Sequence, residues 1–367
     1  MKIALVISSL GPGGAERVLA NMANFWATGG DDVTIITLSS CDSDFYPLNP
    51  SIKRLCLNLF SPSHNVLETL INNIKRLVRL RMTIKNLHTP LVISFMDIMN
   101  IQVLLATLGL PIRVIVSDRS DPDRHDIGLI WFTLRRIIYR RAAFVVILSE
   151  AYRSWFQKNT GINPVVIPNP LTPESSYETP VNLRNQLGLY PTTKILISMG
   201  RLDYFKGFDI LLKAWHQINR SHPDWHLIII GEGSLRTELE QLCVQLNISQ
   251  KVSFIGLVKA PYVFLRQGNL FALSTRYESF GNVFIEAMYC GLPVVATNCT
   301  GAISEIIKDN YNGLLVPIDD PDALAKALHR LMDDDDLRLK MAANGSDVSN
   351  RYNIENIMAM WEKVIQG

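Results

Sequence analysis

Short apolar runs alternate with amphipathic stretches of helical period along this chain, and the alternation begins again half-way. In the first half, residues 2–9, 33–38, 91–95, 113–117, 144–148 and 165–167 are apolar runs of strand length. Most of them close on polar residues. Apolar positions of period 3.6 over residues 15–26 and 66–87 predict helices between them. The prolines of Pro168-Asn-Pro-Leu-Thr-Pro173 read as a domain boundary. Beyond it the pattern restarts, with strands expected over 194–200, 225–230, 251–256, 269–273, 293–297 and 313–316. Helices are expected over 208–219, after Gly233, through 283–288, over 322–332 and over 337–361. Strands joined through helices rather than hairpin turns predict parallel sheets, so the fold class is α/β, with two Rossmann-like domains.

The stretch Ser274–Gly291 organises the second half. An apolar run ends, the chain breaks at Glu278-Ser-Phe-Gly281, and a helical pattern resumes with Asn282 or Ser279 as the expected N-cap. A strand, a small polar turn and a helix N-terminus form an anion site, because free N–H groups and the helix dipole point at the ligand. Glu278 and Glu286 bracket that turn. Carboxylates do not suit a phosphate but do suit hydroxyls, so the pattern asks for a phosphorylated, polyhydroxylated ligand such as a nucleotide sugar.

Composition narrows the classes. A chain of 367 residues suits two domains, and 48% apolar with 19% charged residues is a folded, globular balance. The net charge of +2 is uneven: residues 1–170 carry +6 and the remainder −4. The basic residues concentrate in Lys75, Arg76, Arg79, Arg81 and Lys85 and in Arg135, Arg136, Arg140 and Arg141. The first set lies on the polar face of the 66–87 helix, which fits a surface helix resting on anionic lipid. No nucleic-acid motif or aromatic platform accompanies the charge, so no nucleic-acid partner is expected. Five cysteines without CxxC spacing point to neither a disulfide framework nor a zinc site, and to a reducing cytosol. No run approaches the roughly 20 apolar residues of a membrane span. The opening turn Gly11-Pro-Gly-Gly-Ala-Glu16 is not the dinucleotide fingerprint, and the second strand ends in Ser39-Ser40 without an acid for a ribose. No organic cofactor is expected, and without an Asp-x-Asp at a strand end no catalytic metal is expected either.

Several motifs in order resemble the retaining glycosyltransferases of family 4, which have the two-Rossmann GT-B architecture with the domains facing a cleft. They are Gly200-Arg-Leu-Asp-Tyr-Phe-Lys-Gly207, Gly231-Glu-Gly233, Glu278-x7-Glu286, Gly291-Leu-Pro-Val-Val-Ala296 and Gly313-Leu-Leu-Val-Pro317. Gly13-Gly14-Ala-Glu16 and Ile167-Pro-Asn-Pro-Leu171 are similar to the same family, so the likeness covers nearly the whole chain. It implies an acceptor-side domain over 1–170, a nucleotide-sugar domain over 171–350, and a C-terminal helix over 351–367 packing back on the first domain.

The resemblance also implies roles. Arg201 and Lys206 would neutralise the leaving diphosphate, Glu278 would face the donor sugar, and Glu286 the ribose hydroxyls. The N–H groups of Phe280, Gly281 and Asn282 would hold phosphate, with Gly231 in the neighbouring turn. Gly13, Gly14 and Glu16, with the strand-end residues Asp97, Asn100, Asp118 and Arg119, would serve the acceptor side. Many relatives carry a histidine after the strand equivalent to 113–117; this chain has Ser117-Asp-Arg-Ser-Asp-Pro122 there, with His125 six residues past Arg119.

The expected activity is retaining transfer of a hexose or N-acetylhexosamine from a UDP-sugar to a glycan hydroxyl. The expected acceptor is lipid-linked, in surface polysaccharide or oligosaccharide assembly, with the protein peripheral at the inner face of the cytoplasmic membrane. A nucleotide-sugar epimerase would work without an acceptor, and the Glu278/Glu286 pair argues against it. An inactive partner subunit would have lost Arg201, Lys206 or Glu278, and all three are present.

Overall fold

A computed structural model describes residues 1–59, 65–172 and 181–367; Pro173, the last proline of the expected boundary, lies outside the described residues. The chain divides into two compact units, Met1–Pro170 with Ile357–Gly367, and Leu171–Asn356.

The first unit is built on β1 (Lys2–Ile7), β2 (Asp32–Thr37), β3 (Lys53–Cys56), β4 (Leu91–Phe95), β5 (Arg113–Ser117), β6 (Phe144–Ile147) and β7 (Val165–Val166). They form one sheet in the order β3-β2-β1-β4-β5-β6-β7, parallel at every pairing. Its principal helices are α1 (Gly14–Thr28), α2 (Val66–Leu87), α3 (Asp97–Ala106), α4 (Leu129–Ile138) and α5 (Arg153–Thr160). The strand order reverses direction at the β1/β4 boundary, so the loops after β1 and β4 diverge there and leave a crevice at the strands' carboxyl ends.

The second unit carries β8 (Lys194–Met199), β9 (Trp225–Ile230), β10 (Val252–Gly256), β11 (Leu270–Leu273), β12 (Val294–Thr297) and β13 (Gly313–Val316), in the order β10-β9-β8-β11-β12-β13. Its helices are α6 (Leu183–Gln186), α7 (Phe208–Ile218), α8 (Arg236–Gln245), α9 (Pro261–Leu265), α10 (Asn282–Tyr289), α11 (Gly301–Ile306), α12 (Pro321–Asp333), α13 (Asp335–Gly345) and α14 (Val348–Arg351). Here the reversal lies at β8/β11, which places the turn after β8 beside the turn after β11. Trp215, Trp225, Phe271 and Phe284 are fully buried around this sheet, each contributing about 1.5–3 kcal/mol by leaving water.

The last helix, α15 (Ile354–Gln366), delivers its final turns to the first unit. Trp361 stacks on Phe95 with ring centroids 6.4 Å apart. The Arg113 guanidinium donates to the carbonyls of Val364, at 2.9 Å, and Ile365. Those carbonyls belong to the helix's last turn, where the dipole favours a cation.

Four expectations are corrected. The 337–361 helix is three helices, α13, α14 and α15, because the hydrogen bonds tighten to three-residue turns at Ser346, whose N–H bonds the Ala343 carbonyl, and the chain leaves α-geometry at Tyr352. The cap of α10 is Gly281, at φ 96° with no side-chain cap bond, rather than Asn282 or Ser279. Cys41 and Cys56 form a disulfide. Spacing could not show it, because the pairing depends on β3 lying beside β2, which brings the end of one to the loop after the other. The exposed side of α2 is apolar as well as basic: Leu67, Leu70, Ile71, Ile74, Val78 and Met82 are 41% to 67% exposed. Leu80 and Ile84 are the buried contacts instead. Arg76 and Arg81 turn inward to the carbonyls of Leu59, and of Ala106 and Leu108.

Candidate active site

In the second unit, backbone contact joins the two turns at the β8/β11 boundary. Gly207 has φ 63°, and a Cβ there would fall on the Ser274 carbonyl oxygen. Only glycine allows that approach at that φ. Ser274 Oγ donates to the Gly207 carbonyl at 2.6 Å. The Phe205 carbonyl accepts from the N–H of Arg276 at 2.7 Å and from Thr275 Oγ1 at 2.9 Å. Gly231 continues the seam, since a Cβ there would meet the Gly200 carbonyl.

This lacing brings together two residues 72 positions apart. Lys206 Nζ lies 2.5 Å from Glu278 Oε2, both side chains partly buried. Thr300 Oγ1 donates to the Glu278 carbonyl at 3.1 Å, holding the turn that precedes α10. Gly281 then turns the chain left-handed into that helix, and its carbonyl accepts from the Phe284 N–H at 3.0 Å. Phe280 is buried against Tyr352, centroids 5.9 Å apart. Glu286 is buried in α10 and is not a solvated helix residue. Arg201 is largely exposed and pairs with Asp203 at 2.6 Å. The arrangement offers a cation, a carboxylate and a helix N-terminus in one place.

Arg276 was not anticipated. Its guanidinium binds both oxygens of Asp209, at 2.8 and 2.9 Å, Asp319 at 2.6 Å and the Tyr204 carbonyl at 2.9 Å. The Asp209 bonds lead the effects that hold its pKa above the ordinary arginine value. Its sequence signal was slight: one arginine in the polar turn that follows an apolar strand.

In the first unit, Gly13 caps α1 and its carbonyl accepts from Tyr46 Oη at 3.0 Å. Gly14 opens the helix, and the Glu16 carboxylate folds back over Gly13. Asp97 opens α3 after Met96, whose φ of 76° is strained for a residue with a side chain. The buried Asp97 carboxylate accepts from the Ile98 N–H at 2.8 Å, from Ser120 Oγ at 3.2 Å and from His125 Nδ1 at 2.6 Å. Burial opposes its charge, but the His125 bond and charge prevail and its pKa is lowered, while that bond raises the half-exposed His125. The loop therefore folds His125 back to the end of β4, 28 positions away from Asp97 in the sequence.

Asn100 and Asp118 are enclosed. Asn100 Nδ2 donates to the Ser117 carbonyl at 3.0 Å and to Tyr139 Oη at 3.2 Å. Asp118 accepts from Tyr139 Oη at 3.0 Å and faces the fully buried Arg135 at 3.6 Å. Burial and the neighbouring Asp97 charge push Asp118 up to about 6. Arg135 stacks on Trp155 at 4.5 Å and is thus removed from the expected surface cluster. Arg119 is also buried, bonded to Asn169 and lying over the Phe95 ring at 4.6 Å. Burial lowers it to about 9.

Comparison with known proteins gives the class. The structure aligns along its whole length with Anabaena HepE in complex with UDP, at a TM-score of 0.80 and 20% identity, covering 100% of both chains. A glycosyltransferase from Rickettsia africae aligns at 0.80 and 19%, covering 100% of this chain and 99% of that one. The fold is that of the GT-B glycosyltransferases. Residues 12–175 match the family described as Glycosyltransferase Family 4, and residues 181–348 match Glycosyl transferases group 1. The chain belongs to the family 4 glycosyltransferases. A Campylobacter jejuni relative, an α-1,4-N-acetyl-D-galactosaminyltransferase acting on a diphospho-undecaprenol-linked glycan, is 28% identical over 100% of this chain and 98% of its own.

Proposed function

We infer that the protein transfers a hexose or N-acetylhexosamine from a UDP-sugar, with retention, to a glycan hydroxyl on a lipid-linked acceptor. The observation that carries this reading is the Lys206–Glu278 pair set before the N-terminus of α10. Lys206 and the exposed Arg201 receive the negative charge that grows on the leaving diphosphate. Glu278 stabilises the positive charge developing at the anomeric carbon. The N–H groups of Phe280, Gly281 and Asn282 hold phosphate, with Gly231 keeping the adjoining turn close, and Glu286 binds the ribose. The leaving phosphate takes the acceptor proton, so no protein nucleophile is needed. The first unit serves the acceptor through Gly13, Gly14, Glu16 and the Asp97–His125 pair, while Asn100, Asp118 and Arg119 shape the floor beneath them. UDP in the HepE structure and the lipid diphosphate of the Campylobacter relative's substrate support the two halves of this reading.

Membrane contact is assigned to α2. Among the described residues no helix is long and apolar enough to cross a membrane. The exposed Leu67, Ile71, Ile74 and Val78, flanked by the exposed Lys75 and Arg79, make a face suited to lying in a lipid interface. The test is a panel of nucleotide sugars read by thermal shift, followed by transfer to a polyprenyl-diphosphate glycan with the anomeric configuration read by NMR. Stabilisation by UDP-sugars alone and an axial product support the reading; an inverted product overturns it. In flotation with anionic vesicles, Ile74→Glu with Val78→Glu should release a protein that the wild-type sequence keeps bound.

A further inference from the structure

Away from the sugar-transfer residues of the second unit, three metal-ligating side chains converge from two elements. His222 stands in the turn between α7 and β9, where its carbonyl accepts from the Trp225 N–H at 3.1 Å. His329 and Asp333 lie one helical turn apart on α12, so both project from one face. His222 Nε2 and His329 Nδ1 are 2.8 Å apart. Asp333 reaches both rings, with one oxygen 3.7 Å from His222 Nδ1 and the other 3.3 Å from His329 Nε2. One ligand atom from each residue lies within 4.8 Å of those of the other two.

We propose that His222, His329 and Asp333 form a binding site for a divalent transition-metal ion of the zinc type, which staples the turn after α7 to the end of α12. Two imidazoles and a carboxylate are a donor set such ions take up, with water completing the coordination. Two nitrogens on one tetrahedral zinc stand about 3.3 Å apart, given Zn–N bonds of about 2.0 Å. The 2.8 Å pair therefore needs to open by only about half an ångström, which the half-exposed His329 can do by rotation. The ion takes the lone pairs of the two facing nitrogens, and the proton of the ring–ring hydrogen bond moves to the other nitrogen of its own ring, so both imidazoles stay neutral.

Three features favour binding. His222 is buried and held by its turn, so little ordering is lost on its side. Asp333 supplies negative charge next to both rings, and Asp224 adds to the field at His222. Lys194 opposes, but its ammonium is engaged by Asp335 at 3.1 Å. The staple is independent of the sugar-transfer reading, since it touches none of Lys206, Glu278 or Glu286.

The experiment uses tag-free, chelator-treated full chain and Zn²⁺ alone, with binding measured by calorimetry at pH 7.5 and thermal unfolding followed in parallel. One ion per chain and a rise in Tm of about 3 °C or more are expected at saturation. His329→Ala and Asp333→Asn should each weaken that binding at least tenfold. The absence of one-to-one binding, or binding unchanged in His329→Ala, overturns the site. Binding lost in His329→Ala but kept in Asp333→Asn overturns the carboxylate's part and with it the three-ligand site. Asp333→Asn also guards against a folding defect, because it keeps shape and both histidines.

Discussion

Arg276 grips Asp209 with two parallel bonds, Nη1 to Oδ1 at 2.8 Å and Nη2 to Oδ2 at 2.9 Å. Through this pair, and through its bond to the Tyr204 carbonyl, the stretch that carries Glu278 is fastened to the turn that carries Lys206. Arg276→Ala should separate the two. Stability should fall by about 1–2 kcal/mol. Transfer should fall further, by about a hundredfold, because a small misplacement of a charge-stabilising group is costly. Steady-state kinetics beside urea unfolding would check this, and an Arg276→Lys variant with full transfer would show that the two-pronged geometry is idle.

Glu278→Gln and Lys206→Ala remove opposite members of the pair at 2.5 Å. Each should lower kcat by about a hundredfold to a thousandfold while leaving the fold in place. Circular dichroism and single-turnover assays with a UDP-sugar separate the outcomes; near wild-type turnover in either variant would remove the pair from the mechanism.

His226 is buried on β9 with Nε2 2.8 Å from Ser253 Oγ, and burial pushes its pKa down to about 4. A folded pKa below the ordinary 6.5 means that the neutral ring is preferred in the fold. Its stabilising contribution is complete above pH 6.5 and is lost as pH falls from there to about 4, by ~3 kcal/mol. Urea unfolding at pH 4.5 and 7 should show a smaller acid loss in His226→Gln than in the parent chain. Equal losses would rule out this histidine as a source of acid sensitivity.

Asp97 and His125 shift in opposite directions at their 2.6 Å contact. The raised His125 contributes fully below pH 6.5 and loses its contribution as pH rises through its folded value. The lowered Asp97 contributes above about 3.8 and loses it as pH falls through its own. The pair is thus worth most between about pH 4 and 6.5. Asp97→Asn should move the His125 titration downward in NMR, and its stability deficit should narrow as pH rises past the wild-type His125 value. A His125 titration unchanged by the substitution would mean the two do not interact.

The sheets were legible in the residues because each central strand is buried on both faces and therefore reads as a plain apolar run, as in Ile195–Ile197 and Ile228–Ile230. The edge strand Lys53–Cys56 was not, since its pattern is half polar and partly exposed. Helix α3 was hidden for the opposite reason: nearly all of it is buried, so it has no polar face to set a period. The Lys206, Glu278 and Glu286 motifs stood out by type and spacing. Arg135, Tyr139 and His125 did not, because their partners come from other strand ends and only the β4/β5 pairing brings them together. The apolar stripe of α2 pointed inward by the usual rule, yet most of it is exposed; its last member, Ile84, and Leu80 from outside it are buried.

The second unit is one uninterrupted segment, Leu171–Asn356, whereas the first resumes only at Ile357. On a ribosome making the chain in order, Phe95 and Arg113 emerge long before Trp361, Val364 and Ile365, their partners in α15. The first-synthesised unit is therefore the later one to be completed. Its exposed α15 seat must wait through the synthesis of the whole second unit, a period in which a chaperone would find it open.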